Sequence, residues 1–121
     1  MPRKHHDLVV WRKAISLVKH VYRASQSFPQ SEVFSLTSQM RRAAVSVPAN
    51  IAEGLGRTGA KDRIQFLAIA RGSLTELDTY AVIARELGYI PNTAELESAI
   101  DEVLALLNGL VNSERRKMDV K

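Results

Sequence analysis

The sequence predicts an all-α protein, an antiparallel up-down-up-down four-helix bundle. Short breaks at 28–31, 54–59 and 88–92 divide the 121 residues into four segments of about 20 residues or longer. Within each segment apolar residues recur at helical spacing, and the breaks carry the glycine and proline that end helices. The segments lack the alternation of a β-strand. Because the connections are short, consecutive helices are expected to run in opposite directions.

The first helix is predicted over 8–27, with Asp7 as its N-cap. Its apolar face, expected to point into the core, consists of Trp11, Ile15, Val18 and Tyr22. Its basic face consists of Arg12, Lys13, Lys19 and Arg23. This separation is typical of an amphipathic helix with a basic outer surface.

The second helix is predicted over 32–55, with a kink rather than a stop at Pro48, because the apolar stripe continues in phase beyond it. The third helix is predicted over 60–87 and carries two apolar stripes. The first contains Ile64, Leu67, Leu74, Leu77, Ala81 and Ala84, and the second Phe66, Ile69, Tyr80 and Ile83. Two stripes on one helix indicate burial against more than one partner, such as another subunit.

The fourth helix is expected to begin at Asn92 as N-cap, with Glu95 at the position that completes a capping box. The bundle is therefore assigned to 8–117. A flexible basic tail is assigned to 1–7 and a C-terminal tail to 118–121.

The composition excludes several classes of function. Without cysteine the chain has no thiol catalysis, disulfide framework or thiolate metal site. No signal peptide or membrane-spanning stretch is recognised, so a cytoplasmic protein without membrane partners is expected. The net charge of +4 is uneven, since residues 1–60 carry +6 and residues 61–121 carry −2. This asymmetry indicates either a polyanionic partner or complementary docking between copies.

The basic face of the first helix is the best candidate for nucleic-acid contacts, through Arg12, Lys13, Lys19 and Arg23. A second candidate cluster surrounds the start of the third helix and consists of Arg57, Lys61 and Arg63. The adjacent G-x-G-x-x-G at 54–59 follows a helix instead of a strand, so it is interpreted as a helix-ending turn. The basic face lacks exposed aromatic residues for base stacking, since Trp11 and Tyr22 are expected in the core. A merely solvated basic face therefore stays an open alternative.

Two ion pairs between the second and third helices are predicted to fix their register. With an antiparallel pairing whose residue numbers sum to about 115, Arg41 and Arg42 lie within a turn of Glu76. Glu53 lies opposite Asp62, beside the cations Lys61 and Arg63. The alternative, that Glu53 and Glu76 form a catalytic carboxylate pair, is disfavoured because they belong to distant levels of the bundle.

The histidines occur in no metal-binding pattern. We therefore expect no catalytic residue, metal or cofactor.

Three stretches resemble the bacterial family of 23S ribosomal RNA intervening-sequence proteins. The strongest likeness is 36–54, which contains Arg-Arg-Ala-Ala and Pro-Ala-Asn-Ile-Ala-Glu-Gly, and the others are 8–14 and 66–90. The resemblance implies a four-helix bundle that assembles into a ring-shaped homo-oligomer, typically a pentamer. It also implies an association with nucleic acid through a basic surface, and it carries no catalytic residues.

Together these observations favour a non-enzymatic bundle that binds RNA or DNA as a homo-oligomer. The alternative is a protein-interaction scaffold or accessory subunit with a protein partner. In that case the basic first helix of one copy docks against Glu97, Asp101 and Glu102 on the fourth helix of the next.

Overall fold

The computed structural model describes His5 and residues 8–119. It contains four α-helices, which are α1 (Val9–Ser25), α2 (Leu36–Leu55), α3 (Ala60–Glu86) and α4 (Ala94–Asp119). No strand occurs in this part of the chain, so the all-α prediction is confirmed. Apart from His5, the predicted tail at 1–7 and the proposed cap Asp7 lie outside the described residues. The last helix runs on through Met118 and Asp119, which were assigned to the C-terminal tail.

Each helix packs against the next one in the chain, and α1 closes the arrangement by packing against α4. Contacts between α2 and α3 run antiparallel, because Gly54 approaches Phe66 whereas Ser46 bonds to Ser73. The helix contacts are thus consistent with the predicted up-down-up-down order. All four helices contribute to one core, whose largest fully buried side chains include Leu17, Met40, Ile51, Leu67, Leu74, Leu77, Leu96 and Leu107.

The core face of α1 is rotated by one position from the prediction. The buried residues are Val10, Ala14, Leu17, Val21 and Ser25. Trp11, Ile15 and Val18 lie half-buried beside them, and Tyr22 is 41% exposed. Ala14 and Ser25 contribute small side chains to the buried face, while aromatic rings with a polar tip remain at the edge, in contact with water.

Helix α2 begins four residues later than predicted, because the chain first forms a short 3-10 helix at Gln30–Glu32. Ser35 then donates a hydrogen bond to Glu32 Oε1 at 2.8 Å. The intervening Phe34 is 94% exposed. As predicted, α2 continues through Pro48 to Leu55, and the accompanying kink stays a prediction.

A close approach between α2 and α3 depends on Gly54. This glycine is buried inside α2, and a Cβ placed on it would lie 3.0 Å from Phe66 Cβ and 3.2 Å from the carbonyl oxygen of Arg63. Ordinary side chains do not fit at such distances, so the glycine permits contact between the two helices.

The connection between α3 and α4 turns at Gly88, whose φ of 80° favours glycine. The N-cap of α4 is Thr93, one residue after the predicted Asn92, because the helix begins at Ala94 and the Thr93 carbonyl oxygen accepts from the Glu97 amide at 2.8 Å. Asn92 still binds this helix end, since its Oδ1 accepts a hydrogen bond from the Ala94 amide at 2.8 Å. The carboxylate that takes part at this helix start is Glu97 and not the predicted Glu95. Glu97 accepts a hydrogen bond from Thr93 Oγ1 at 3.0 Å. None of the helices in the described residues is long and apolar enough to cross a membrane.

Candidate nucleic-acid interface

Three cations line the outward face of α1, and we call them the α1 ridge: Arg12, Lys19 and Arg23. All three are exposed, as predicted. They are separated by seven and four residues, which corresponds to about 10 Å and about 6 Å along the helix axis. Because the opposite face of α1 is in the core, the ridge points to solvent, where it can contact a polyanion.

Lys13, the fourth predicted contact on α1, lies to the side of the ridge and faces α4. Its Nζ is 2.8 Å from Glu102 Oε1, and both side chains are about half exposed. A surface pair of this kind contributes little stability. It nevertheless holds the lysine beside a carboxylate in the free protein, so Lys13 adds less positive charge than Lys19 or Arg23 does.

The three cations of the second predicted cluster, Arg57, Lys61 and Arg63, have different surroundings. Arg57 pairs with Glu53 at 2.7 Å, and its guanidinium lies over the ring of Phe66, 4.7 Å from the centroid. Lys61 is exposed beside a cavity of about 290 Å³ between α3 and α4. Arg63 faces α4, where its Nη1 is 3.6 Å from Glu114 Oε2. The three do not form one anion-binding group, and Arg63 in particular has a structural partner.

Glu114 is a buried carboxylate that the sequence interpretation missed. Only 3% of the residue is exposed, and its Oε2 has no hydrogen-bond partner. Its other oxygen is 3.1 Å from Lys117 Nζ. The signal was present in the sequence, because Glu114 follows Leu107 and Val111 at the spacing of the buried face of α4.

Tyr22 supplies the exposed aromatic ring that the sequence interpretation placed in the core. It lies on the side of α1 that faces α2, between Lys19 and Arg23 in the sequence. The Arg41 guanidinium lies over its ring, 4.6 Å from the centroid. Arg41 Nε also donates a 2.8 Å hydrogen bond to the hydroxyl of Ser25. The basic surface of α1 therefore includes an aromatic group, contrary to the prediction.

The predicted ion pairs between α2 and α3 are wrong in their partners. Arg41 contacts α1 through Tyr22 and Ser25, and Glu53 pairs with Arg57 one turn along its own segment. Arg42 and Glu76 line one groove between α2 and α3. Within the part of the chain that the structure describes, no ion pair joins those two side chains.

The reason for the error is the register of the two helices. Ser73 lies opposite Ser46, to which it donates a 2.8 Å hydrogen bond, instead of opposite Arg42. The pairing is thus shifted by about one helical turn relative to the prediction. The close contact at Gly54 fits only this register of α2 against α3. In this register Glu53 and Glu76 are well separated along the bundle.

Two acids invoked for docking between copies already have partners within one chain. Glu102 pairs with Lys13, and Glu97 Oε1 is 3.1 Å from Arg85 Nη1.

In the described ranges, His5 and 8–119, no group of three or more histidine, aspartate or glutamate side chains is arranged to hold a metal ion.

The chain is similar to a known protein family and to a solved structure. A family model described as 23S rRNA-intervening sequence protein matches residues 6–109. A crystal structure from Bacteroides thetaiotaomicron VPI-5482, of a protein with unknown function from the S23 ribosomal protein family, is similar with a TM-score of 0.73. The two share 23% sequence identity, and the similarity covers 85% of this chain and 98% of that one. At this identity the likeness shows a common fold. No curated protein matches this chain.

Proposed function

The chain belongs to the 23S rRNA-intervening sequence protein family, and from this premise we propose that it is a non-enzymatic, RNA-associated bundle of the bacterial cytoplasm that acts as a ring-shaped homo-oligomer. The observation that carries the proposal is the α1 ridge, three exposed cations on one outward helix face. Phosphate contacts of this kind provide affinity without sequence specificity.

The ridge has the properties that a phosphate-binding surface requires. Lys19 and Arg23 are one helical turn apart and exposed, whereas Glu102 of α4 is paired with Lys13. Repetition of the ridge around a ring multiplies its effect, because linked sites bind one polymer at a high effective concentration. A modest patch on a single subunit then suffices for useful affinity.

The apolar surface between α2 and α3 supports assembly. Phe34, Ile69 and Ile83 are 94%, 47% and 40% exposed, although each is a large apolar side chain. Ile69 and Ile83 belong to the second stripe of α3. Phe34 and Ile69 line a groove of about 620 Å³. Exposed apolar patches of this kind mark interaction sites. We propose that neighbouring subunits of a pentameric ring cover this surface.

The test of RNA association is the salt dependence of binding to a fluorescein-labelled single-stranded RNA. Lys19→Ala/Arg23→Ala is expected to weaken binding and to reduce the slope of log K against log salt by about 1 to 1.5, since about 0.7 is lost per phosphate contact. The matched control is Arg115→Ala/Arg116→Ala, which removes the same charge from exposed positions near the end of α4.

Equal effects of the two double variants would mean that net charge, and not the ridge, determines binding. Absence of salt-dependent RNA binding by the wild-type protein would overturn the proposed function itself. The absorbance ratio at 260 and 280 nm of the untreated protein gives a second measurement, because bound nucleic acid raises it.

A further inference from the structure

Tyr22 and Arg41 form a composite aromatic surface beside the α1 ridge. Tyr22 is 41% exposed, and the Arg41 guanidinium lies 4.6 Å from its ring centroid. Two further contacts hold Arg41, a 2.8 Å bond from Nε to Ser25 Oγ and a 3.5 Å bond from Nη2 to the Tyr22 carbonyl oxygen. We call this pair the Tyr22–Arg41 platform.

The platform is ordered from below by a buried group. Ser25 is only 2% exposed, and its hydroxyl donates to the Val21 carbonyl oxygen at 2.8 Å while it accepts from Arg41. The guanidinium is therefore oriented before any ligand arrives. A flat group fixed in this way loses little conformational freedom when a ligand stacks on it.

An open cleft adjoins the platform on the side of the loop between α1 and α2. Its volume is about 220 Å³, and its lining includes Arg41, the ring of Phe28 and the polar side chains of Gln26, Gln30 and Thr37. Amide and hydroxyl groups donate and accept hydrogen bonds in the pattern that the edges of nucleobases require. The cleft thus places polar groups beside the Arg41 guanidinium of the platform, whereas Tyr22 lies outside its lining.

We propose that the Tyr22–Arg41 platform stacks an unpaired base, so that the ligand of the ridge is single-stranded RNA rather than duplex RNA. This inference rests on the proposed function and adds the ligand class. Unpaired bases are recognised by stacking on aromatic rings and guanidinium planes. In an A-form duplex the bases are already stacked, and an aromatic side chain on the surface contributes nothing to affinity.

The test compares a 12-nucleotide RNA containing 2-aminopurine with the same sequence annealed into a duplex, at one fixed salt concentration. Tyr22→Leu keeps an apolar side chain but removes the ring. It is expected to weaken single-strand binding at least about fivefold and to abolish the quenching of 2-aminopurine that stacking causes. Tyr22→Phe is the matched control, which keeps the ring and is expected to bind as the wild type does.

The charge of the surface gives an independent readout. Because Tyr22→Leu removes no cation, its salt slope is expected to equal that of the wild type, whereas Lys19→Ala/Arg23→Ala reduces the slope. Duplex affinity is expected to be the same for Tyr22→Leu and wild type. Thermal unfolding of each variant, followed by circular dichroism, shows that an affinity loss does not come from unfolding.

Three results would overturn the inference. They are unchanged single-strand binding by Tyr22→Leu, equal losses for single strand and duplex, and tighter wild-type binding to the duplex. Equal binding of a DNA oligomer of the same sequence would overturn the assignment to RNA. If Tyr22→Leu binds normally while the ridge variant does not, the proposed function stands and only the platform is wrong. Failure of the wild type to bind any RNA removes the proposed function.

Discussion

Ser73 of α3 donates a 2.8 Å hydrogen bond to Ser46 of α2, whose hydroxyl also accepts from Asn50 Nδ2 at 2.9 Å. This contact marks the level at which the two helices meet. Eight residues further towards the end of α2, Gly54 brings the backbones together. The register of α2 and α3 therefore depends on small side chains rather than on charge pairs.

Gly54→Ala is expected to destabilise the bundle. The added Cβ would lie 3.0 Å from Phe66 Cβ and 3.2 Å from the Arg63 carbonyl oxygen, so one helix must move. Overpacking of this kind costs about 1–3 kcal/mol of the free energy of unfolding. Gly72→Ala is the control, because nothing lies within 4 Å of its Cβ, and the better helix former stabilises by up to about 1 kcal/mol. Urea denaturation measures both. Stabilisation by Gly54→Ala would contradict the close approach.

The same contact explains what the sequence could and could not predict. Helical spacing and the glycine and proline breaks predict the four helices and most of the first apolar stripe of α3, which is buried. They do not determine register, because an apolar stripe packs equally well when it slides by one turn, and Gly54 resembles an ordinary helix-ending glycine. On α1 two neighbouring stripes both fit the helical period, so the pattern alone does not show that Leu17 is buried and Tyr22 is not.

A second prediction concerns the end of the bundle where Tyr89 donates a 2.8 Å hydrogen bond to Glu32 Oε2. The hydrogen bond from Tyr89, with a further one from Ser35, lowers the pKa of Glu32 below its usual 4.5. The hydrogen bond to Glu32 raises the pKa of Tyr89 above its usual 10.0. The pair thus joins the segment before α2 to the connection between α3 and α4, and it responds to pH at both extremes.

Each shifted pKa makes the free energy of unfolding depend on pH, because the folded and unfolded states bind protons with different affinity. The lowered pKa of Glu32 contributes stability above about pH 4.5 that is lost as the pH falls through the folded-state value. The raised pKa of Tyr89 contributes stability below about pH 10 that is lost as the pH rises through the folded-state value. Tyr89→Phe removes the contribution of Tyr89 and the largest cause of the lowered Glu32 pKa, while the Ser35 hydrogen bond remains. Its Tm is therefore expected to lie below that of the wild type at pH 7, with the difference narrowing at pH 3.

The control for this experiment is Tyr80→Phe, which removes a phenolic hydroxyl from the groove between α2 and α3. Its Tm profile is expected to run parallel to that of the wild type between pH 3 and pH 7. A constant difference between Tyr89→Phe and wild type over this range would show that the hydroxyl stabilises the fold without its charge-linked bond to Glu32.

Arg63→Ala is expected to destabilise the protein because it removes a partner of the buried carboxylate of Glu114. The two side chains are 25% and 4% exposed. An unpaired buried charge costs several kcal/mol, and since Lys117 remains in place we expect a loss of about 2 kcal/mol. Lys117→Ala, whose side chain is 59% exposed, is expected to cost less. Urea denaturation of both variants gives the comparison.

The double variant Arg63→Ala/Glu114→Gln isolates the interaction. Removal of the buried negative charge is expected to recover part of the stability that Arg63→Ala loses, because no unpaired carboxylate is left. Additive losses would show that the two side chains do not interact. Arg63→Lys is also expected to leave RNA binding unchanged, because this side chain faces α4 and not the α1 ridge.

The last prediction concerns assembly and depends on Phe34. Its 94% exposure leaves an aromatic side chain in water in a single subunit, and burial of such a group against a neighbour stabilises an interface by about 2 kcal/mol. In the proposed ring each interface contains this contact once, so Phe34→Ser is expected to weaken every interface together. Light scattering coupled to gel filtration is expected to show about five subunit masses for the wild type and a shift of Phe34→Ser towards the 13.5 kDa subunit.

Val9→Ser serves as the control, because Val9 is 54% exposed on α1, away from the groove. This variant is expected to leave the mass unchanged. A wild-type mass of one subunit would overturn the ring, whereas an assembled Phe34→Ser protein would place the interface on another face.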